Sequence, residues 1–299
     1  MKDQLLQLCR YSPDWIFKDI LMLYDTHAHI NFAAFKEERD ELIKRTLAEG
    51  VWLNNVGTQK DTAKEAVAIA EHYPEGVYAV VGLHPIHTIS QHVDEEESSF
   101  NTREEVFDYS YYKTLADNPK VVGIGEAGLD YYRIPEGMTK EQVRLVQEPS
   151  FLAQIKLSKE LDKALVIHGR ASAGTNDAYD DILEILRREK PNRFEIHSFT
   201  ADWTVCRQFL ELGGYIGING IATFDKTGTL REVLENCPLE KIVLETDAPY
   251  LSPAPYRGKR NEPSYVKYVA KYVADVKAVE MEKAEAVFFA NSKALFNII

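Results

Sequence analysis

The sequence predicts an α/β chain folded as a single (β/α)8 barrel of the TIM type, and three observations carry that expectation. Short apolar, β-branched runs recur along the chain, and most are followed by a polar, helix-favouring stretch of 12 or more residues. Eight such runs can be counted, the number that closes a parallel barrel. The runs are nearly continuous in their hydrophobicity rather than alternating, as strands covered by helices should be. A length of 299 residues would nominally suit two domains, but single α/β barrels routinely reach this size and no low-complexity linker forces a division.

In order, the runs are LMLYDTHAHI at 21–30, VWLNNVGT at 51–58, VYAVVGLHP at 77–85 and VVGIGEAGLD at 121–130. ALVIHGR at 164–170, RFEIHSFT at 193–200, YIGIN at 215–219 and KIVLETDAPY at 241–250 complete the set. Between them lie amphipathic stretches such as KEERDELIKRTLAEG at 36–50, stopped by Gly50, and DTAKEAVAIAEHY at 61–73, stopped by Pro74. The segment ASAGTNDAYDD at 171–181 reads as a loop leading into a helix. Two stretches stand outside the rhythm. Residues 1–22 form an N-terminal extension, expected to be helical and to cap the closed end, ahead of a barrel domain at 23–299. Residues 87–112, which include DEEESS at 94–99, are longer and more acidic than a βα loop needs and read as a surface insertion.

Composition narrows the function. The 47 acidic and 35 basic residues leave a net charge of −12, which argues against a surface that grips nucleic acid through broad counterion release. The most apolar N-terminal piece, WIFKDILML at 15–23, is interrupted by Lys18 and Asp19, so neither a membrane span nor an export signal is expected. Cys9, Cys206 and Cys237 are odd in number and widely spaced, which suits small buried side chains in a reducing, cytoplasmic compartment.

The chemistry shows in where the polar residues fall. Of eight histidines, five (His27, His29, His84, His168 and His197) lie at or near the C-terminal end of an expected strand. Glu126 and Asp247 occupy the same position on the fourth and eighth strands. Those ends share one mouth in a barrel, the face on which active sites are built. His27 and His29, spaced i, i+2, point to one face and can share a cation. Nitrogen and oxygen donors without thiolate suit zinc, manganese or magnesium. Glu126 is placed to bridge two ions, and Asp247 to ligate one and accept a proton from the attacking water. Two divalent cations held by two carboxylates would leave the mouth electropositive within an acidic protein. Arg133, Arg170, Arg257, Lys259 and Arg260 follow these strands, and arginine suits bidentate phosphate contact, although the RGKR run at 257–260 equally suits ordinary surface or a pair with Glu262. Tyr131 and Tyr132 offer either core packing or a surface on which a base can stack.

These motifs resemble the TatD family of metal-dependent deoxyribonucleases, within the amidohydrolase-like superfamily. YDTHAHI at 24–30 resembles its opening signature and GEAGLDYY at 125–132 its second. VIHGR at 166–170, HSFT at 197–200, and ETDAPYL at 245–251 followed by RGKRNEP at 257–263 are similar to the later ones. The resemblance implies a two-metal hydrolase cleaving phosphodiester bonds, acting as an exonuclease on DNA ends. It implies that His27 and His29 hold one ion, His168 and His197 the other, with Glu126 bridging and Asp247 as ligand and acid/base. It also gives His84 a functional place, contacting substrate phosphate or a bound water. Glu126 stands where carboxylated-lysine members of the superfamily carry lysine, which disfavours that branch. Ester or amide hydrolysis, such as deacylation of an aminoacylated nucleic acid, and a non-catalytic metal-binding barrel remain the alternatives.

Overall fold

The computed structural model describes residues 22–95 and 98–299. The expected extension at 1–22 therefore lies almost wholly outside the described residues. The first units are β1 (Leu23–Ala28), α1 (Arg39–Ala48), β2 (Val51–Val56), α2 (Lys60–Glu71) and β3 (Val77–Val81). A hairpin of β4 (His92–Glu95) and β5 (Ser98–Asn101) precedes α3 (Tyr109–Ala116), β6 (Val121–Asp130) and α4 (Lys140–Leu161). Then come β7 (Ala164–Arg170), α5 (Asp177–Glu189), β8 (Phe194–Ile196), α6 (Trp203–Glu211) and β9 (Tyr215–Ile218). The chain ends with α7 (Thr229–Asn236), β10 (Ile242–Leu244), α8 (Val266–Lys277) and α9 (Met281–Phe296).

Eight of the strands form one parallel sheet in the order β1, β2, β3, β6, β7, β8, β9, β10, and the eight expected runs account for all of them. The sheet curls until its ends meet. The Asp247 N–H donates to the His27 carbonyl at 2.8 Å and the His29 N–H to that of Ala248 at 2.7 Å, so the seam is sewn just beyond β10. Helices cover the outside because each carries an apolar stripe. That of α5 buries Ile182, Leu183, Ile185 and Leu186, each worth about 1.5–3 kcal/mol once removed from water. Helix starts use the expected polar caps: the Thr139 hydroxyl accepts from the Gln142 N–H while the Gln142 side chain accepts from the Thr139 N–H, and Asp202 accepts from the Val205 N–H.

The barrel interior is layered. At the closed end, Val56, Val80, Val166 and Val243 pack on Leu295 and Phe296 of α9, and Gly123 leaves the room that Phe296 fills. The plug seen among the described residues is thus C-terminal. Above it lies a polar layer of Asp25, Thr26, Glu195, Glu245 and Thr246, all fully buried. The insertion is smaller than its sequence suggests. Residues 109–112 belong to barrel helix α3, whose Tyr112 is buried and stacks on Phe107 at 4.6 Å. The hairpin neck is pinned by buried Thr102, which donates to Ile89 O and accepts from the Gln91 N–H.

Candidate metal centre

Above the polar layer the strand ends open into a cavity of about 1120 Å³, walled in part by His29, His84, Glu126, His168, His197 and Asp247. His27, fully buried, sits at its floor. The sequence spreads these residues over 27 to 247; parallel strands of like polarity bring them to one rim. The ends of β8 and β10 turn abruptly there, with Ser198 (φ 47°) and Asp247 (φ 58°) in left-handed backbone.

The donors fall into two groups around Glu126. Its Oε2 lies 3.3 Å from His27 Nε2, which is itself 3.3 Å from His29 Nε2. Asp247 Oδ1 completes this group, 3.3 Å from His29 Nε2 and 4.0 Å from His27 Nε2. The other carboxylate oxygen, Oε1, lies 2.7 Å from His168 Nδ1 and 3.6 Å from His197 Nε2. The two oxygens of one buried carboxylate thus face two separate sets of imidazoles.

Hydrogen bonds on the far side of each ring set its tautomer. His29 Nδ1 lies 2.9 Å from the Val56 carbonyl, which can only accept, so the proton is on Nδ1 and Nε2 presents a lone pair. His197 is oriented alike, its Nδ1 donating to Glu245 at 2.9 Å. Glu245 is held in turn by the Ser198 N–H at 2.6 Å. His84 has the opposite arrangement. Its Nδ1 accepts the Ile86 N–H at 3.0 Å, so a neutral ring carries its proton on Nε2, 3.3 Å from Glu126 Oε1. His84, Glu126 and His168 cluster as closely as ligands would, but the tautomer makes His84 a hydrogen-bond donor rather than a lone-pair donor.

Charge follows the same geometry. Burial and the neighbouring His197, stacked 3.5 Å away, push the His27 pKa down to about 4. Burial also opposes charge on His197, but Glu245 and Glu126 outweigh it and push its pKa up to about 10. On His168 burial is overcome by hydrogen bonds to Asp130 and Glu126, and its pKa rises to about 9. Burial likewise works against ionised Glu126, yet the surrounding imidazoles hold it well below the ordinary carboxylate range. Without a cation, His168 and His197 are therefore the groups that favour a proton, while His27 and Glu126 resist one. Nitrogen lone pairs and ionised oxygens facing one another across 3–4 Å are a donor set that a divalent ion satisfies, and the residues present fit that group.

Two carboxylates not singled out from the sequence support the histidines. Asp130 Oδ2 lies 3.1 Å from His168 Nε2, and Glu245 holds His197 as described. Asp130 is i+4 from Glu126 and Glu245 is i−2 from Asp247, spacings that gain meaning only once the strand register is known. Below them Asp25 accepts from Thr246 N–H at 2.8 Å and Thr246 Oγ1 at 2.6 Å, tying the first strand to the last.

The arginines divide. Arg133 and Arg170 line the cavity, and the Arg170 guanidinium lies 4.1 Å over the Tyr132 ring. Arg257 does not line it; its guanidinium lies 3.8 Å over Phe224, and Nη1 donates to Ser252 O. Arg260 is spent on Ala34 O and Glu38, 2.6 and 2.5 Å away. Tyr131 is buried while Tyr132 is half exposed at the rim. Cys206 and Cys237 are buried and unbridged, and no described helix is long and apolar enough to cross a membrane.

Comparison with known proteins places the chain among metal-dependent hydrolases. The chain is 36% identical over 282 residues to the uncharacterized metal-dependent hydrolase YabD of Bacillus subtilis, covering 93% of this chain and 100% of the relative. It is 33% identical over 284 residues to the 3'-5' ssDNA/RNA exonuclease TatD of Klebsiella pneumoniae, covering 92% and 98%. The crystal structure of YjjV, a TatD homolog from Escherichia coli, superposes with a TM-score of 0.78 at 25% identity over 94% of this chain and 100% of that one. The family model described as TatD related DNase matches residues 24–297, and the chain belongs to that family of metal-dependent hydrolases.

Proposed function

We propose that this barrel is a two-metal phosphodiesterase that removes nucleotides from nucleic-acid ends. The observation that carries the reading is Glu126, whose two oxygens face the His27, His29 and Asp247 group on one side and the His168 and His197 group on the other. The Klebsiella relative, named as an exonuclease on single-stranded DNA and RNA, supports the substrate class.

Divalent cations, once held by these groups, would supply an activated water and neutralise charge on the attacked phosphate. The chain's own residues do the rest. Asp247 Oδ1, kept ionised despite burial by the imidazoles gathered around it, is the acceptor for the water's proton. His84, fixed with its proton on Nε2, donates to a phosphate oxygen in the mouth. Asp130 and Glu245 keep His168 and His197 turned toward Glu126.

The test is a panel of single-stranded DNA, duplex DNA, RNA and carboxylic ester substrates, run with metal-free protein reconstituted with zinc, manganese or magnesium. Release of mononucleotides, lost in Glu126→Ala and Asp247→Ala, is expected. Ester cleavage without phosphodiester cleavage, or full activity in either variant, overturns the reading.

A further inference from the structure

The mouth differs from one side of its rim to the other. Strands β3, β6 and β7 are neighbours in the barrel, and β10 meets β1 on the opposite side. Above β3, β6 and β7 the cavity is walled by Arg103, Arg133 and Arg170, the only lysines or arginines among the described residues that line it. Above β10 and β1 it is walled by Tyr250 and Phe32. Phe32 lies face-on to His29, ring centres 4.4 Å apart, with Tyr250 edge-on at 6.4 Å, so this aromatic wall runs directly into the ligand cluster.

Arg103 reaches the mouth because of the hairpin between β3 and α3. Thr102 closes the hairpin neck, and the Glu105 N–H donates to the His87 carbonyl at 2.8 Å, fixing Arg103 between two anchored residues. Its guanidinium pairs with Asp61 at 2.8 Å, with both side chains more than half exposed. An exposed pair of this kind holds weakly and exchanges readily for a phosphate.

Resting on the nucleic-acid reading above, we propose that the two arcs orient the strand. The terminal nucleoside stacks on the Phe32 and Tyr250 wall, the scissile phosphate lies over the ligand cluster, and the strand leaves across the arginine arc. Arg103 takes the phosphate next to the scissile one. The arrangement confines positive charge to one arc in a chain of net charge −12. It also makes the hairpin a determinant of how tightly substrates longer than one nucleotide are held.

Calorimetry on manganese-loaded protein tests this with deoxyadenosine monophosphate (5' and 3' isomers), the matching deoxyribose phosphates, and a phosphorothioate tetranucleotide that resists cleavage. In one isomer series the nucleotide is expected to bind roughly 5- to 150-fold tighter than the sugar phosphate, the worth of one stacked base. Phe32→Ala and Tyr250→Ala should bring that ratio toward one while sugar phosphate affinity is kept; if Phe32→Ala loses manganese, Tyr250→Ala decides. Arg103→Ala should spare both monophosphates, weaken the tetranucleotide several-fold and lower its log Kd against log salt slope by about 0.7. Nucleotide and sugar phosphate binding alike, or a tetranucleotide indifferent to Arg103→Ala, overturns the proposal. If the binding pattern holds but no strand is cleaved, the phosphodiesterase reading fails and the orientation of the mouth stands. Cleavage without the pattern has the opposite meaning.

Discussion

Replacing Glu245 by glutamine tests how the second histidine pair is built. The carboxylate is fully buried and accepts from two donors, His197 Nδ1–H at 2.9 Å and the Ser198 N–H at 2.6 Å. Glutamine offers one acceptor oxygen and one amide, so one of the two donors must face another donor, at a cost of about 1–3 kcal/mol. His197 escapes the clash by moving its proton to Nε2, the atom that faces Glu126, and in doing so loses the lone pair that a cation needs. The ion held by His197 and His168 is therefore expected to bind about 10- to 100-fold more weakly, or about 1.4–2.8 kcal/mol, while the His27, His29 and Asp247 side is little changed. The same carboxylate stabilises a proton on metal-free His197, whose pKa is pushed up to about 10, so wild-type affinity at pH 7 already includes a proton penalty. The loss in Glu245→Gln should accordingly be larger at pH 9 than at pH 7. Titration of metal-free protein against a chromogenic chelator measures both affinities, with circular dichroism checking the fold. A folded Glu245→Gln protein with two unchanged affinities would refute the reasoning.

Asp247→Asn should lower kcat by about 10²- to 10⁴-fold, measured on single-stranded DNA with saturating metal. Chelation should abolish turnover and metal addition restore it, while raising salt from low to physiological levels weakens substrate binding only modestly. His87 is buried in the wall of the mouth, outside the ligand set proposed above, and burial with the nearby His84 pushes its pKa down to about 3. Its folded-state value lies below its unfolded value, so its contribution to stability is full above pH 6.5 and is lost as pH falls toward 3. About 2 kcal/mol should disappear between pH 6.5 and 5, and a shallower decline of Tm with acid in His87→Leu would confirm the source. Gly128→Ala should cost at least about 3 kcal/mol in denaturant unfolding. Its Cβ would lie 1.9 Å from the His168 carbonyl, at a backbone φ of 155° that alanine resists.

Those residues also show where sequence reading stops. His27, His29, Glu126 and Asp247 stood out because a polar group ending an apolar strand has no packing reason to be there. Asp130 and Glu245 did not, because what they do depends on rings 38 and 48 positions away. A buried carboxylate beside a histidine becomes meaningful only when the strand register is known. The RGKR run, open in the sequence between phosphate contact and ordinary surface pairing, was undecidable for a related reason. Cation density suggested phosphate, whereas Arg257 covers Phe224 and Arg260 neutralises Glu38, partners that the sequence places 33 and 222 positions away. In the insertion the acidic stretch hid the point at which helix α3 begins, since YSYY carries no helical stripe until Tyr112 packs on Phe107.

The seam between β1 and the turn after β10 has a consequence for the order of events in a cell. Synthesis delivers His27 and His29 first and Asp247 last among the candidate ligands, 220 positions after His27. The strand that completes the ring is also the one that leads into Asp247, the proton acceptor proposed above, and, through Thr246, the partner of Asp25. A nascent chain halted before residue 242 can form most of the strands yet cannot close the circle. Assembly of the chemistry and completion of the architecture are thus one step, and unfinished chains are silent by construction.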